Sequence, residues 1–465
     1  MPTNPTPTVE ERPADAAAHP RVTRTGRRRL LRAARWSATA AALPVWLRAV
    51  VTGCVVAFVT IAFRWLVQAV EWLATGQTSE LAQAARALAP WQRLAVCSVG
   101  ALLAGLALHW GNRWAARGPR GDVHVDYIDA ARAGHVDLND RTNLARSVSA
   151  LLSIGTGASI GREGPMVQVS AWAASTLPRL FKAPPEQRRI LLVCGIAAGI
   201  AATYRAPVAG VVFVLELALG FFARHAVAPV LIAAGTASCL SWMVVDARPL
   251  YAVAPLQMQA SSLLFAVAAG VLFGGVGWAF LHVMELSRRA FAHVRSLPLR
   301  MGLGGVLVGA LSAYVPEVWG NGYGLVASAL QGVDAWQWLA LVLLAKVAAT
   351  SFSAGSGAIG GVFTPALFVG AAGGGVLARV AALELPAAWV GDARVLVVIG
   401  MAAVLTSTTR APLMAITIVL EMTNQFQLTM PVMLACAMAY AVSTQFGTRP
   451  LYGNPIEAGS AGPGN

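Results

Sequence analysis

The segment SIGTGASIGREGP, Ser153–Pro165, sets one carboxylate, Glu163, among glycines and just before a proline. Glycines let backbone N–H groups approach a ligand closely, and the apolar residues after Pro165 suit a helix that starts there. A helix start has N–H groups without intrahelical partners and the positive end of the helix dipole, roughly half an elementary charge. Together these make an anion site. A second stretch of similar make-up, GVFTP at Gly361–Pro365, would point another positive end into the same cavity. A carboxylate at one of these ends is a tethered anion. Glu163 would fill the site when ionised and vacate it when protonated or displaced, as a gate does. An acid that merely complements its helix dipole has the same spacing. Burial and N–H donors also push its proton affinity in opposite directions, so spacing alone leaves gate and cap open.

Other chemistries find little support. Cys54, Cys97, Cys194, Cys239 and Cys436 are dispersed in apolar contexts without a CxxC pair and read as small buried hydrophobes. The seven histidines form no HxxxH pair, so no metal site is expected. A GxxxxGK[ST] phosphate loop is missing, which removes the sequence warrant for an ATP-driven pump. The acids are isolated rather than grouped with a base or nucleophile, so the chain is not expected to be an enzyme and needs no cofactor.

The elements that must position Glu163 belong to a membrane protein. Hydrophobic residues make up 57% of the 465 and charged residues 12%, against about 25% charged in a soluble domain, and mean hydropathy is +0.62. Apolar stretches recur from about residue 45 onward; Ala226 to Val245, Ser261 to Leu281, and Thr429 to Val442 with its flanks are long enough to span. The 45 glycines and 25 prolines interrupt many others. Broken helices in lipid are tolerated only where protein or a water-filled cavity satisfies the freed backbone, so they imply an internal pathway. The formal charge of +14 is largely local: Arg21, Arg24, Arg27, Arg28, Arg29, Arg32 and Arg35 precede the first apolar stretch. Such a cluster holds that end in the cytoplasm and meets anionic headgroups, which explains the charge without nucleic acid. Residues 1–40 are expected to form a disordered, Arg-rich cytoplasmic tail, and no signal-peptide cleavage site is evident.

The chain also repeats itself. GIAAGIAATYRAPVAGVVFVLE, Gly195–Glu216, matches GMAAVLTSTTRAPLMAITIVLE, Gly400–Glu421, at a constant offset of 205. Upstream, SIGTGASIGREGP from Ser153 matches SAGSGAIGGVFTP from Ser353 at an offset of 200. Two related halves, about 45–245 and 260–455, with breaks at corresponding positions, point to a binding site at their interface near the bilayer midplane. Identity alone does not say whether the halves are parallel or inverted. Arg205 and Glu216 recur as Arg410 and Glu421 with identical spacing, which suits a structural tie at a helix end in each half. We read these and Lys346 as structural, although ionisable groups in a membrane are functional suspects by default.

These residues resemble the CLC chloride channels and proton-coupled chloride transporters. The resemblance runs from about residue 45 to 455 and rests on GREGP, RAPVAGVVFVLE, GNGYG (Gly320–Gly324), GSGAIGGVFTP, TRAPLMAITIVLEMT and PLY (Pro450–Tyr452). It implies an all-α, polytopic membrane fold of two inverted halves with many tilted and broken helices, spanning 41–455. It also implies one pore per chain and a homodimer. Motif by motif, it implies that backbone N–H groups of Arg162, Glu163 and Gly164 form an outer anion site blocked by the Glu163 carboxylate. Val362 and Phe363 would offer N–H groups to a central anion, and the Tyr452 hydroxyl a further hydrogen bond. Neutral donors suit chloride, since conduction needs binding weak enough to release.

Two departures stand out. The family's GSGIP motif, whose serine helps hold the central anion, should fall in GDVHVDYID, Gly121–Asp129, and is missing. Asp122 or Val123 takes the serine's place. An aspartate would repel chloride, so Val123 is expected near the pore, with Asp122 turned to the cytoplasm and His124 in a solvated loop. Chloride selectivity is thereby put in question, and a fluoride or nitrate exporter stays as an alternative. Second, the acid that relays protons in coupled relatives is replaced by Leu217. Its loss favours passive conduction over chloride/proton antiport, though Glu216 or a water chain could substitute. The tail after Tyr452, with residues 456–465 at its end, is too short for a nucleotide-sensing domain, leaving voltage, pH or anion occupancy at Glu163 to regulate flux. The expected location is a bacterial inner membrane, crossed many times, with the N-terminus in the cytoplasm.

Overall fold

The structure is a computed structural model. It describes residues 44–453 apart from 79, 119–125, 134–136, 181–182, 220–223, 246–247, 252, 333–334 and 386–390. The expected N-terminal tail, residues 456–465, and the filter positions Asp122 and Val123 with His124 lie outside the described residues.

The described residues are mostly helical, with short irregular links between the helices. The first half runs α1 (Val45–Thr75), α2 (Leu81–Ala87), α3 (Pro90–Ala116), α4 (Tyr127–Ala133), α5 (Asp140–Gly155), α6 (Glu163–Leu180), α7 (Pro185–Tyr204), α8 (Pro207–Val214, prolonged by a π-turn over Leu215–Leu219) and α9 (Arg224–Val244). The second runs α10 (Ser261–Ala292), α11 (Leu297–Tyr314), α12 (Tyr323–Gln331), α13 (Trp336–Ser356), α14 (Phe363–Glu384), α15 (Ala393–Thr409), α16 (Pro412–Thr423) and α17 (Thr429–Gln445). Among the described residues eight helices are long and apolar enough to cross a membrane. The three spans expected from sequence lie on α9, α10 and α17.

The outer surface suits lipid. Phe58, Trp65, Leu66 and Leu73 on α1 and Val99 and Leu103 on α3 are exposed, with Trp46 and Trp72 towards the two ends of α1 and Trp91 and Trp110 on α3. Tryptophan near helix ends fits the interfacial belt of a membrane protein. Between helices, small residues permit close packing. On α14, Gly370 and Gly374 meet the backbone of α15, where a Cβ at Gly370 would come 2.2 Å from the Gly400 carbonyl oxygen.

The breaks repeat as the sequence does. Helix α7 ends on Arg205 (φ 56°) and α15 on Arg410 (φ 54°), each followed by Ala-Pro at the start of the next helix. A left-handed arginine is uncommon, and both side chains are tied to backbone oxygen: Arg205 Nη1 donates to Arg248 O at 2.9 Å and Arg410 Nη2 to Thr448 O at 2.8 Å.

The repeated glutamates are structural ties, but each caps the other half. Glu216, in the π-turn after α8, accepts hydrogen bonds from the N–H groups of Leu413 and Met414 at the start of α16 (3.2 and 2.7 Å). Glu421, near the end of α16, accepts from Val208 and Ala209 at the start of α8 (3.1 and 2.7 Å). A C-terminal acid on each helix touching the N-terminus of its counterpart requires the pair to run antiparallel. Corresponding elements pointing in opposite directions are the mark of an inverted repeat, and the reciprocity of the contacts is that of a two-fold axis.

Candidate functional site: an anion pathway at the join of the two halves

The two loops singled out by sequence meet on that axis. Gly161 and Gly361, corresponding residues of the two repeats, exchange both backbone hydrogen bonds at 2.7 Å as an isolated antiparallel bridge. Glycine is needed there: a Cβ on Gly161 would lie 2.0 Å from Glu163 Oε2, and one on Gly361 would lie 2.9 Å from the Gly164 nitrogen. Upstream, Ser353 Oγ accepts the Ser159 N–H at 3.0 Å, and Gly157 (φ 92°) and Gly357 (φ 100°) make the same left-handed turn in each half.

From this bridge α6 and α14 depart, with Pro165 and Pro365 at the third position of each. Helix α6 begins at Glu163, two residues before the proline from which a helix start was expected. Proline there removes an N–H that no helix could use, leaving those of the first two residues for a ligand. Three spaces surround the start of α6. A wide cavity of about 400 Å3 is lined by Arg162, Arg64, Glu71, Asn321, Tyr251 and Tyr323 among others. A second, of about 230 Å3, is lined by Gly164, Pro165, Gly361, Val362, Phe363 and Tyr452, with Asp126, Tyr127 and Arg146. Adjoining the second, with which it shares Gly164, Phe363, Tyr127 and Tyr452, a narrow space of about 10 Å3 is bounded also by Glu163 and Tyr204. That volume is on the scale of one water.

Glu163 bounds the narrow space, and its chain neighbour Arg162 and its hydrogen-bond partner Asn321 line the wide cavity. Glu163 is 1% exposed; its Oε1 accepts a hydrogen bond from Asn321 Nδ2 at 2.7 Å, and its Oε2 has no hydrogen-bond partner among the described residues. The structure thus brings Glu163, Gly164, Phe363 and Tyr452 around one narrow space and puts Val362 on the second cavity next to it. The Arg162 side chain turns away to the wide cavity, 6.0 Å from the centre of the Tyr323 ring. Aromatic walls hold the narrow part: Tyr204 against Phe363 with ring centres 5.1 Å apart, and Phe213 against Tyr452 at 5.5 Å.

Leu217 is buried in the π-turn after α8, its carbonyl accepting from Arg132 Nε at 2.7 Å. The neighbouring Glu216 is engaged in capping α16. Lys346, fully buried on α13, donates to the carbonyls of Val318, Trp319 and Gly320 at 2.9, 3.4 and 2.7 Å, the structural use expected of it. No group of histidine, cysteine and acid side chains fit for a metal occurs among the described residues.

The sequence reading gives two residues at the site no role. Asn321 lies in GNGYG, and its signal is a polar residue between glycines with positive φ, Gly320 (68°) and Gly322 (90°). Tyr127 lies in the stretch that lacks the serine, and its hydroxyl-bearing side chain lines both the second cavity and the narrow space. Beside it, burial pushes the proton affinity of Asp126 up; its carboxylate accepts the Ile128 N–H at 2.9 Å at the start of α4.

Inverted helical halves with two helix N-termini meeting around a buried carboxylate define a membrane protein for small anions. The chain belongs to the voltage-gated chloride channel (CLC) family, whose model matches residues 100–444. It is 43% identical to a ClcB-like protein of Ralstonia nicotianae over 87% of this chain and 94% of that one. It is also 36% identical to the voltage-gated ClC-type chloride channel ClcB of Escherichia coli O81 over 85% and 94%. Among solved structures it resembles a slow cyanobacterial Cl−/H+ antiporter, with a TM-score of 0.76 and 25% identity, covering 88% of this chain and 96% of that one. A CLC-type fluoride/proton antiporter shares the fold at a TM-score of 0.72 and 23% identity, covering 88% and 97%. The chain is accordingly a multi-pass membrane protein of an anion-transporting family, and the relatives it matches are channels and transporters rather than enzymes.

Proposed function

We propose that the protein conducts chloride, or a similar small anion, passively through a pathway gated by Glu163. The observation that carries this reading is the buried Glu163 carboxylate at the start of α6, which bounds the narrow space beside the second cavity and is hydrogen-bonded to Asn321 on the wall of the wide one. The N–H groups of Arg162, Glu163 and Gly164 would receive the anion once the carboxylate leaves. The N–H groups of Val362 and Phe363 and the Tyr452 hydroxyl would hold it at the centre. Passive conduction is favoured because Leu217 carries no proton and Glu216 is already engaged by two backbone N–H groups. The second reading, chloride/proton antiport, is favoured by the likeness to the cyanobacterial antiporter. In either case we place the protein in a bacterial inner membrane as a homodimer, with its N-terminus in the cytoplasm and no cofactor.

The test is chloride efflux from proteoliposomes with external pH recorded at the same time. Chloride release without proton uptake, paced by a potassium shunt, is expected; proton uptake in fixed ratio to chloride would establish antiport instead. Glu163→Gln keeps shape and removes charge, so it should raise flux and flatten its rise towards acidic pH. Flux that is unchanged in amount and pH dependence would reduce Glu163 to a helix cap.

A further inference from the structure

We propose that Asn321 is the latch of the Glu163 gate: its side-chain amide holds the carboxylate in the blocking position and sets the pH at which the pathway opens. This rests on the gate reading above and adds a positioning residue to it. Asn321 Nδ2 donates to Glu163 Oε1 at 2.7 Å, while Asn321 Oδ1 accepts the Tyr323 N–H at 3.3 Å. The second bond fixes which end of the amide faces the carboxylate.

The loop carrying Asn321 is held by interactions that no helix or sheet supplies. Lys346 Nζ binds three successive carbonyls, Val318 to Gly320, just before it. Glu80 Oε1 accepts the Gly324 N–H at 2.6 Å just after it, and the Gly320 N–H donates to Ala158 O at 3.2 Å in the loop that leads to Glu163. A buried lysine spent wholly on backbone carbonyls stiffens this segment, and the rigid partner it presents is the Asn321 amide. Because Asn321 also lines the wide cavity, the latch sits where an arriving anion or proton meets the gate.

The amide donates to the ionised carboxylate and gives nothing comparable to the neutral acid. With Oε1 so engaged, the proton that opens the gate goes to Oε2, which has no partner among the described residues. Loss of the donor therefore favours the protonated, open form, and flux should switch on at higher pH. Other titratable groups near Glu163 are Lys346 on α13 and the neutral phenols of Tyr204 on α7, Tyr251 before α10, Tyr323 on α12 and Tyr452, of which the Tyr323 hydroxyl is placed to donate to the same carboxylate. Arg162 adjoins it, and Arg64 and Glu71 on α1 and Glu80 before α2 line the wide cavity; Tyr127 bounds the narrow space with it. All stay in place when only Asn321 is changed.

The experiment is chloride flux against pH in proteoliposomes, each variant normalised to its own acid plateau, for wild type, Asn321→Ala, Asn321→Asp, Glu163→Gln and the two double variants. Asn321→Ala removes the donor. Asn321→Asp keeps an acceptor for the Tyr323 N–H, which preserves the loop, and sets a like charge beside the gate. The midpoint should rise by about one pH unit or more in Asn321→Ala, the size expected for one hydrogen bond to a charged group, and further in Asn321→Asp. Neither change should add a shift in the Glu163→Gln background. An unchanged midpoint in both single variants, or a shift that persists without the Glu163 carboxylate, overturns the latch while leaving the gate. Wild-type flux and pH dependence in Glu163→Gln alone would instead remove the gate, and the latch with it.

Discussion

Around the narrow space each side chain has a separable task. Phe363 and Tyr452 bound it beside Gly164, and the phenol is a neutral donor that can offer one hydrogen bond to an anion. A hydrogen bond to a charged partner contributes about 1.5–3 kcal/mol, so Tyr452→Phe should weaken anion affinity by about tenfold or more. Phe363→Ala and Tyr452→Ala should loosen discrimination among chloride, nitrate and fluoride, as read by competition during efflux. Intact selection in both would remove the central site from this position. Tyr127, facing the same space, is the hydroxyl nearest in sequence to the missing serine.

Helix ends do the corresponding work among the elements. Each of α8 and α16 is capped by a carboxylate from the other, so one half-buried pair of acids ties the two halves together across their axis. Acids at helix N-termini contribute roughly 0.3–2 kcal/mol. Glu216→Gln and Glu421→Gln should therefore each lower the thermal stability of the detergent-solubilised protein by a similar, modest amount. Because the two sites share the same helix pair, the double variant should depart from additivity. Chloride flux per folded protein should survive Glu216→Gln; loss of flux with stability intact would restore Glu216 as a proton carrier and favour antiport.

At the scale of the molecule, the inverted halves create one axis, and the glycine bridge, both motif helices and the crossed caps all use it. The outward faces of α8, α16 and α17 leave Val208, Leu413, Met430 and Met433 exposed. A face of this kind is covered by lipid or by a second chain. On the homodimer reading, native mass spectrometry from detergent should give twice the 48.4 kDa of one chain. A monomer that still conducts would show that one chain carries a complete pathway.

Much of this was legible in the sequence, for identifiable reasons. Hydropathy declares lipid as the solvent wherever a stretch is long enough, and α9, α10 and α17 came out within a few residues at most ends. Repeats written at constant offset revealed two halves, and GREGP and GVFTP revealed two helix starts, because glycine and proline constrain backbone geometry locally. Tertiary structure decided what depends on contacts distant in the chain. Glu216 and Glu421 read as ties within each half, but they cross between halves, since only folding brings residue 216 to residue 413. Direction was likewise hidden, because antiparallel counterparts have the same spelling as parallel ones. Asn321 carried no weight until folding set it 2.7 Å from a carboxylate 158 positions away. Local rules of backbone and hydropathy are written residue by residue, whereas the burial of one charge beside its partner exists only once the chain has closed on itself.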